Sequence, residues 1–254
     1  MLESALERGP DAFESFVEEP RRGGWWGRLA TSSGTYFVKG RKLRDRRRQF
    51  ASLLLPRGLE GEWRQLLWFL NNGLATAAPV ALLEYRWLGM LQLSVLITGW
   101  VPNSRTFAEA MTAAEPEARN ELLQKAGDYL GTLYCKGVLH RQPHAMNLLL
   151  VDRGPSVGEE VLTVDLKHAW ISDVLDDDDF LWWLEQSAYW LRPPKLDWTD
   201  PVAADSFYRA AVRGAAPALS DPARIDAYVD RLIQRGGRVE KRHRQNWQPA
   251  DTPS

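Results

Sequence analysis

Along the first hundred residues the apolar positions fall in short runs. Phe13 to Val17 is a short apolar stretch, Gly24 to Thr31 a second candidate strand, and Thr35-Tyr36-Phe37-Val38-Lys39 a third, rich in β-branched and aromatic residues. Pro20-Arg21-Arg22-Gly23-Gly24 and Ser32-Ser33-Gly34 read as the turns between them. The period then changes. Between residues 59 and 72, Trp63, Leu66, Leu67 and Leu70 recur at helical spacing, and Asn71-Asn72-Gly73 supplies a stop. Val80 to Trp87 and Leu91 to Ile97 read as two more strands. Thr98-Gly99-Trp100-Val101-Pro102-Asn103 breaks the pattern.

From Pro116 onward the helical period dominates. Leu122, Ala126, Tyr129, Leu130 and Leu133 line one face, and Gly137 ends the run. A strand is expected at 148–151, a polar turn at 152–160 and a strand from Val161 to Val164. Helices are expected from Phe180 to Leu191, at 203–213 and at 222–235, followed by a polar tail. This order predicts an α+β chain in two lobes. Residues 1–99 form an N-terminal lobe of antiparallel sheet with one helix, 100–103 a hinge, 104–240 a mainly helical C-terminal lobe, and 241–254 a loose tail.

Composition narrows the picture slightly. The 254 residues carry a formal net charge of -1, so no global field favours nucleic acid or membrane. Charge is unevenly spread, however. Residues 41–48 read R-K-L-R-D-R-R-R, and Asp176 to Asp179 is a run of four acids; such runs are usually solvated surface. Cys135 is the only cysteine, which fits a reducing compartment. The start of the chain lacks the basic and apolar segments of a secretory signal, and the longest apolar stretch, Leu88 to Val101, is too short to span a bilayer. A cytoplasmic protein, peripheral on a membrane at most, is expected. Twelve tryptophans point mainly to packing. In Trp25-Trp26 and Trp182-Trp183 one ring of each pair must point away from the other.

The residues that carry chemistry lie at 140–147, His140-Arg141-Gln142-Pro143-His144-Ala145-Met146-Asn147. The stretch has the shape of the kinase catalytic loop H-R-D-x-x-x-x-N, with Gln142 where the catalytic Asp belongs. Phosphoryl transfer from ATP needs cations against the phosphates, carboxylate and amide ligands for Mg²⁺, and a group that orients the nucleophile. Lys39, at the end of a strand, is the candidate for the phosphates. Lysine is scarce here, 7 against 25 Arg, so its placement carries some weight. Glu62 is the candidate to hold that lysine, with Glu60 as its rival. Asn147 and Asp165 are the candidate metal ligands, Asp165 emerging after the apolar strand that ends at Val164. His140 reads as structural and His144 as a weak candidate base. Gly23 and Gly24 are the only candidates for a phosphate-covering turn, and they lack G-x-G-x-x-G.

On these residues the sequence resembles the lipopolysaccharide kinase family of the protein-kinase-like fold, which includes Kdo, heptose and WaaP-like kinases. The stretches that carry the resemblance are Gly34 to Lys39, Glu62-Trp63-Arg64 with Gly73 and Ala78-Pro79-Val80-Ala81, His140 to Leu150, and Val164-Asp165-Leu166. The resemblance implies ATP- and Mg²⁺-dependent transfer to a sugar hydroxyl of the lipopolysaccharide core, at the cytoplasmic face of the inner membrane. The basic residues 41–48 would suit an anionic lipid surface or a phosphorylated sugar. The family's catalytic Asp maps onto Gln142. Two readings therefore stand: a phosphotransferase with an atypical base, and a pseudokinase that binds nucleotide or a partner kinase without turnover. An unrelated helix-and-sheet binding protein is the third, disfavoured by the ordered set Lys39, Glu62, Asn147 and Asp165.

Overall fold

The computed structural model describes residues 14–19, 24–55, 58–156, 158–191 and 201–234. Phe13, Gly23 with most of its turn, and the tail at 241–254 lie outside the described residues. Two compact units divide the chain, Met1–Pro102 and Asn103–Ser254.

The first unit is built on five antiparallel strands in the order β1-β2-β3-β5-β4. They are β1 (Ser15–Glu19), β2 (Gly24–Thr31), β3 (Gly34–Lys42), β4 (Pro79–Trp87) and β5 (Met90–Gly99). Alternation along β2, β3 and β5 sends Leu29, Val38, Val95 and Ile97 to one buried face, with Trp25, Tyr36, Ala81 and Leu93 packed against them. Gly40 is required there. A Cβ on it would lie 2.0 Å from the Trp25 indole, so the ring covers bare backbone.

Among the described residues two helices belong to this unit, where the pattern predicts one. Part of the basic segment is a short helix, α1 (Arg46–Ala51), because Asp45 caps it by accepting from the Arg47 amide at 2.9 Å. Helix α2 (Glu60–Asn71) follows. Its buried stripe is Glu62, Leu66 and Phe69, whereas Leu67 and Leu70, expected on the inner face, are exposed. The helix is thus rotated so that a carboxylate faces inward.

In the second unit, β6 (Ser104–Thr106), β8 (Leu148–Asp152) and β9 (Glu159–Thr163) form one small sheet, and β7 (Val138–His140) pairs with β10 (Ala169–Ile171) in another. The helices are α3 (Phe107–Ala113), α4 (Pro116–Cys135), α5 (Asp177–Trp190), α6 (Pro201–Ala215) and α7 (Pro222–Gln234). Thr106 and Glu109 close a reciprocal capping box on α3.

The acidic run is not solvated surface throughout. Asp176 caps α5 through the Asp179 amide, and Asp177, only 5% exposed, accepts from the amides of Ser220 and Asp221 ahead of α7. Its carboxylate thereby satisfies backbone donors that a buried turn would otherwise leave unpaired. Trp182 and Trp183 are both buried rather than split between core and surface. Among the described residues no helix is long and apolar enough to cross a membrane.

Candidate active site

The first unit holds a lysine–carboxylate pair. Lys39 lies in β3 between Trp26 of β2 and Leu96 of β5, so its backbone is fixed from both sides. Its Nζ donates to both oxygens of Glu62, at 3.2 and 2.9 Å. Glu62 is 5% exposed and Lys39 20%. A buried carboxylate costs several kcal/mol unless a charge meets it, and Lys39 is that charge. The rival Glu60 is engaged elsewhere, with Arg64 at 2.5 Å one helical turn away. Gly24 opens β2 opposite Arg41. Gly23 lies outside the described residues.

The second unit carries the loop at 140–147, and hydrogen bonds tie it to the segment around Asp165 from both ends. At its start, β7 pairs with β10 and the Arg141 amide donates to the His168 carbonyl at 3.1 Å. At its end, the Val164 amide donates to the Asn147 carbonyl at 2.8 Å, continuing the ladder that pairs Leu148 with Thr163. The long interval between Asn147 and Asp165 is consumed by the β8–β9 hairpin. The two residues therefore stand at the same end of that hairpin. Asp165 has φ 57 and ψ 54, a left-handed conformation that Asp tolerates better than most residues.

His140 is fully buried, with Nε2 3.4 Å from the Asp165 carbonyl oxygen. A carbonyl only accepts, so the neutral ring carries its proton on Nε2. Burial holds the ring's pKa down to about 4, against the opposing pull of the Asp165 carbonyl and charge. The imidazole is thus a neutral strut beneath the loop. From below, the Trp183 indole donates to the His140 carbonyl at 2.9 Å.

The remaining loop residues are more open. Gln142 is half-buried, and its carbonyl accepts from the His144 amide at 2.7 Å. His144 is exposed, and its Nδ1 accepts from the Met146 amide at 3.3 Å.

Two contributors were not singled out in the sequence. Lys167 donates to Asp165 Oδ2 at 2.9 Å, and Trp183 supports His140. The tryptophan pair was a visible signal; Lys167 gave none beyond its place two residues after Asp165. For magnesium, which takes hard oxygen donors and keeps several waters, the Asn147 carboxamide and the Asp165 carboxylate are suitable groups. The Lys167 ammonium stands on that carboxylate at 2.9 Å, so a magnesium ion bound there would have to share Asp165 with it or displace it.

Among solved structures the chain is similar to WaaP in complex with acyl carrier protein, at 18% identity and a TM-score of 0.55, covering 92% of this chain and 91% of that one. It is also similar to the Rio2 kinase of Chaetomium thermophilum in an ADP/Mg²⁺-phosphoaspartate complex, at 12% identity and a TM-score of 0.50, covering 92% and 75%. The chain has a protein-kinase-like fold, with an antiparallel N-terminal sheet and a mainly helical second part. No protein-family model and no curated protein matches the sequence.

Proposed function

We propose that the protein is an ATP-dependent phosphotransferase of the lipopolysaccharide kinase type, acting on a heptose or Kdo hydroxyl of the lipopolysaccharide core. The observation that carries the reading is the Lys39–Glu62 pair. A sheet lysine held straight by a buried helix carboxylate is the arrangement that presents an ammonium to the α- and β-phosphates. The kinase-like fold and the sequence resemblance support it. Asn147 and Asp165 would hold magnesium, which neutralises phosphate charge when bound. In the transfer, the sugar hydroxyl oxygen bonds the γ-phosphorus, the bond to the β,γ-bridging oxygen breaks, ADP leaves, and the hydroxyl proton passes to solvent. Gln142 orients the hydroxyl by hydrogen bonding and cannot take that proton. Positioning and electrostatics supply most of the rate.

One observation favours a second reading, a pseudokinase: the base position holds a carboxamide. The deciding experiment is phosphate transfer from Mg²⁺–ATP to purified lipopolysaccharide core, read by mass spectrometry. A phosphate-sized mass increase in the wild type, abolished by Asp165→Ala, supports the enzyme. No increase on core that a known kinase does phosphorylate rejects it, and nucleotide binding without transfer then establishes the pseudokinase.

A further inference from the structure

We propose that the first unit docks on an anionic lipid bilayer through the segment running from the end of β3 through α1 to Leu55, together with the tip of the β4–β5 hairpin. The inference stands on this surface alone and not on the phosphotransferase reading.

The apolar residues here are exposed well beyond the scattered norm. Phe50 is 65% exposed, Leu53 46%, Leu54 85%, Leu55 53%, Trp87 57% and Leu88 74%. They form one platform. Leu53 Cδ2 lies 2.9 Å from where a Cβ on Gly89 would stand, so the segment after α1 rests on the hairpin tip. Arg86 donates to the carbonyls of Ser52 and Gly89 at 3.4 and 3.0 Å, and the Leu91 amide donates to Ser52 Oγ at 2.8 Å. Contiguous exposed apolar surface of this kind marks an interaction site.

Folding gives no reason for these side chains. Leu88 and Gly89 are the central residues of a two-residue hairpin turn, with φ of 48 and 79. Such a turn prefers Asn, Asp or Gly at both places, so a leucine there is unfavourable for the turn and wasted in water. Leu54 is likewise a tip and not a groove wall.

Charge complementarity identifies the occupant. Arg41, Lys42, Arg44, Arg46, Arg47 and Arg48 are all exposed, and the only acid between residues 41 and 55 is Asp45. The segment thus carries six formal positive charges against one negative, in a chain whose net charge is -1. Protruding leucines and a tryptophan beside an arginine belt match the layering of a bilayer. Apolar tips enter the acyl boundary, the aromatic ring lies at headgroup level, and the cations meet anionic headgroups. Either signal alone binds weakly; together they hold a protein on a surface.

The test is co-sedimentation of the full chain with vesicles of phosphatidylcholine and phosphatidylglycerol in equal parts, against phosphatidylcholine alone, without nucleotide. The chain should sediment with the anionic vesicles only, and less as salt rises. Arg46→Glu/Arg47→Glu places acids in the first turn of α1, which has none and where they suit the helix, and should weaken partitioning by about thirtyfold. Leu54→Ser/Leu88→Asn improves the hairpin turn and should weaken it by about tenfold or more. Unchanged thermal unfolding of both variants excludes misfolding as the cause. The proposal is overturned if anionic vesicles do not sediment the chain, if neutral vesicles do so equally, or if both variants sediment like the wild type. Binding of a purified acidic protein through these residues, with no vesicle binding, would overturn it in favour of a protein dock.

Discussion

A carboxamide cannot take a proton from a sugar hydroxyl at neutral pH, so the proposed transfer has no general base at Gln142. His144, the weak candidate for that role, accepts from the Met146 amide through its Nδ1. General-base help is typically worth about 10²–10⁴-fold. If the protein transfers phosphate, Gln142→Asp should raise the single-turnover rate by about that factor while leaving nucleotide affinity unchanged, since the shorter Asp is easily accommodated at a half-buried loop position. A flat rate would mean that the acceptor or the rest of the site is wrong for transfer. At this scale the sequence was most legible where chemistry constrains spacing. Lys39, expected at a strand end although β3 runs on to Lys42, and an acid at the start of the helix at 59–72 could be paired on paper, but the choice between Glu60 and Glu62 depends on helix rotation. That rotation follows from Leu66 and Phe69 packing inward, and the exposed Leu67 and Leu70 obscured it.

Helices α4 and α6 approach until backbone meets backbone. A Cβ on Gly127 would lie 2.4 Å from the Phe207 carbonyl oxygen, one on Gly131 2.3 Å from that of Ala211, and one on Gly214 2.5 Å from that of Asp128. Ala204, Ala210, Ala211 and Ala215 complete the seam. Alanine normally stabilises a helix over glycine by about 1 kcal/mol. Here the clash is with backbone, which cannot rotate away, and overpacking costs about 1–3 kcal/mol or more. Gly131→Ala should therefore lower the urea midpoint, against the propensity rule, whereas Gly61→Ala on the open face of α2, with nothing within 4 Å, should raise it slightly. Equal effects at the two sites would refute the close seam. Long periodic elements such as α4 were readable because they bury a stripe. The three-residue strands β7 and β10 were not, because each gains its strand pairing from the other alone and is too short to show a period. Among the acids at 176–179, Asp177 misled for a related reason: its partners are backbone amides 43 and 44 residues away, which no local pattern reveals.

Among the described residues, His140 and Glu159 of the second unit make stability depend on acid. His140 is neutral when folded, with its pKa lowered from 6.5 to about 4 by burial. Between those values the unfolded chain binds a proton that the folded chain refuses, so stability falls as the pH falls. The contribution is fully present above about pH 6.5 and lost progressively toward pH 4, amounting to about 3 kcal/mol. Glu159 acts in the same direction but in a lower window. Burial opposes its ionisation, yet Lys125 and Arg105, each 2.9 Å away, outweigh that and lower its pKa from 4.5, so its share is lost below that value. Hydrogen exchange read by mass spectrometry separates the units. On going from pH 7 to 5, after correction for intrinsic exchange, protection should fall in α5 and β7 and hold in β3 and β5. His140→Gln keeps a donor for the Asp165 carbonyl but cannot titrate, and should flatten the dependence between pH 6.5 and 4 while sparing the loss below 4.5. Retention of the full slope in that variant would show that another group controls the acid transition.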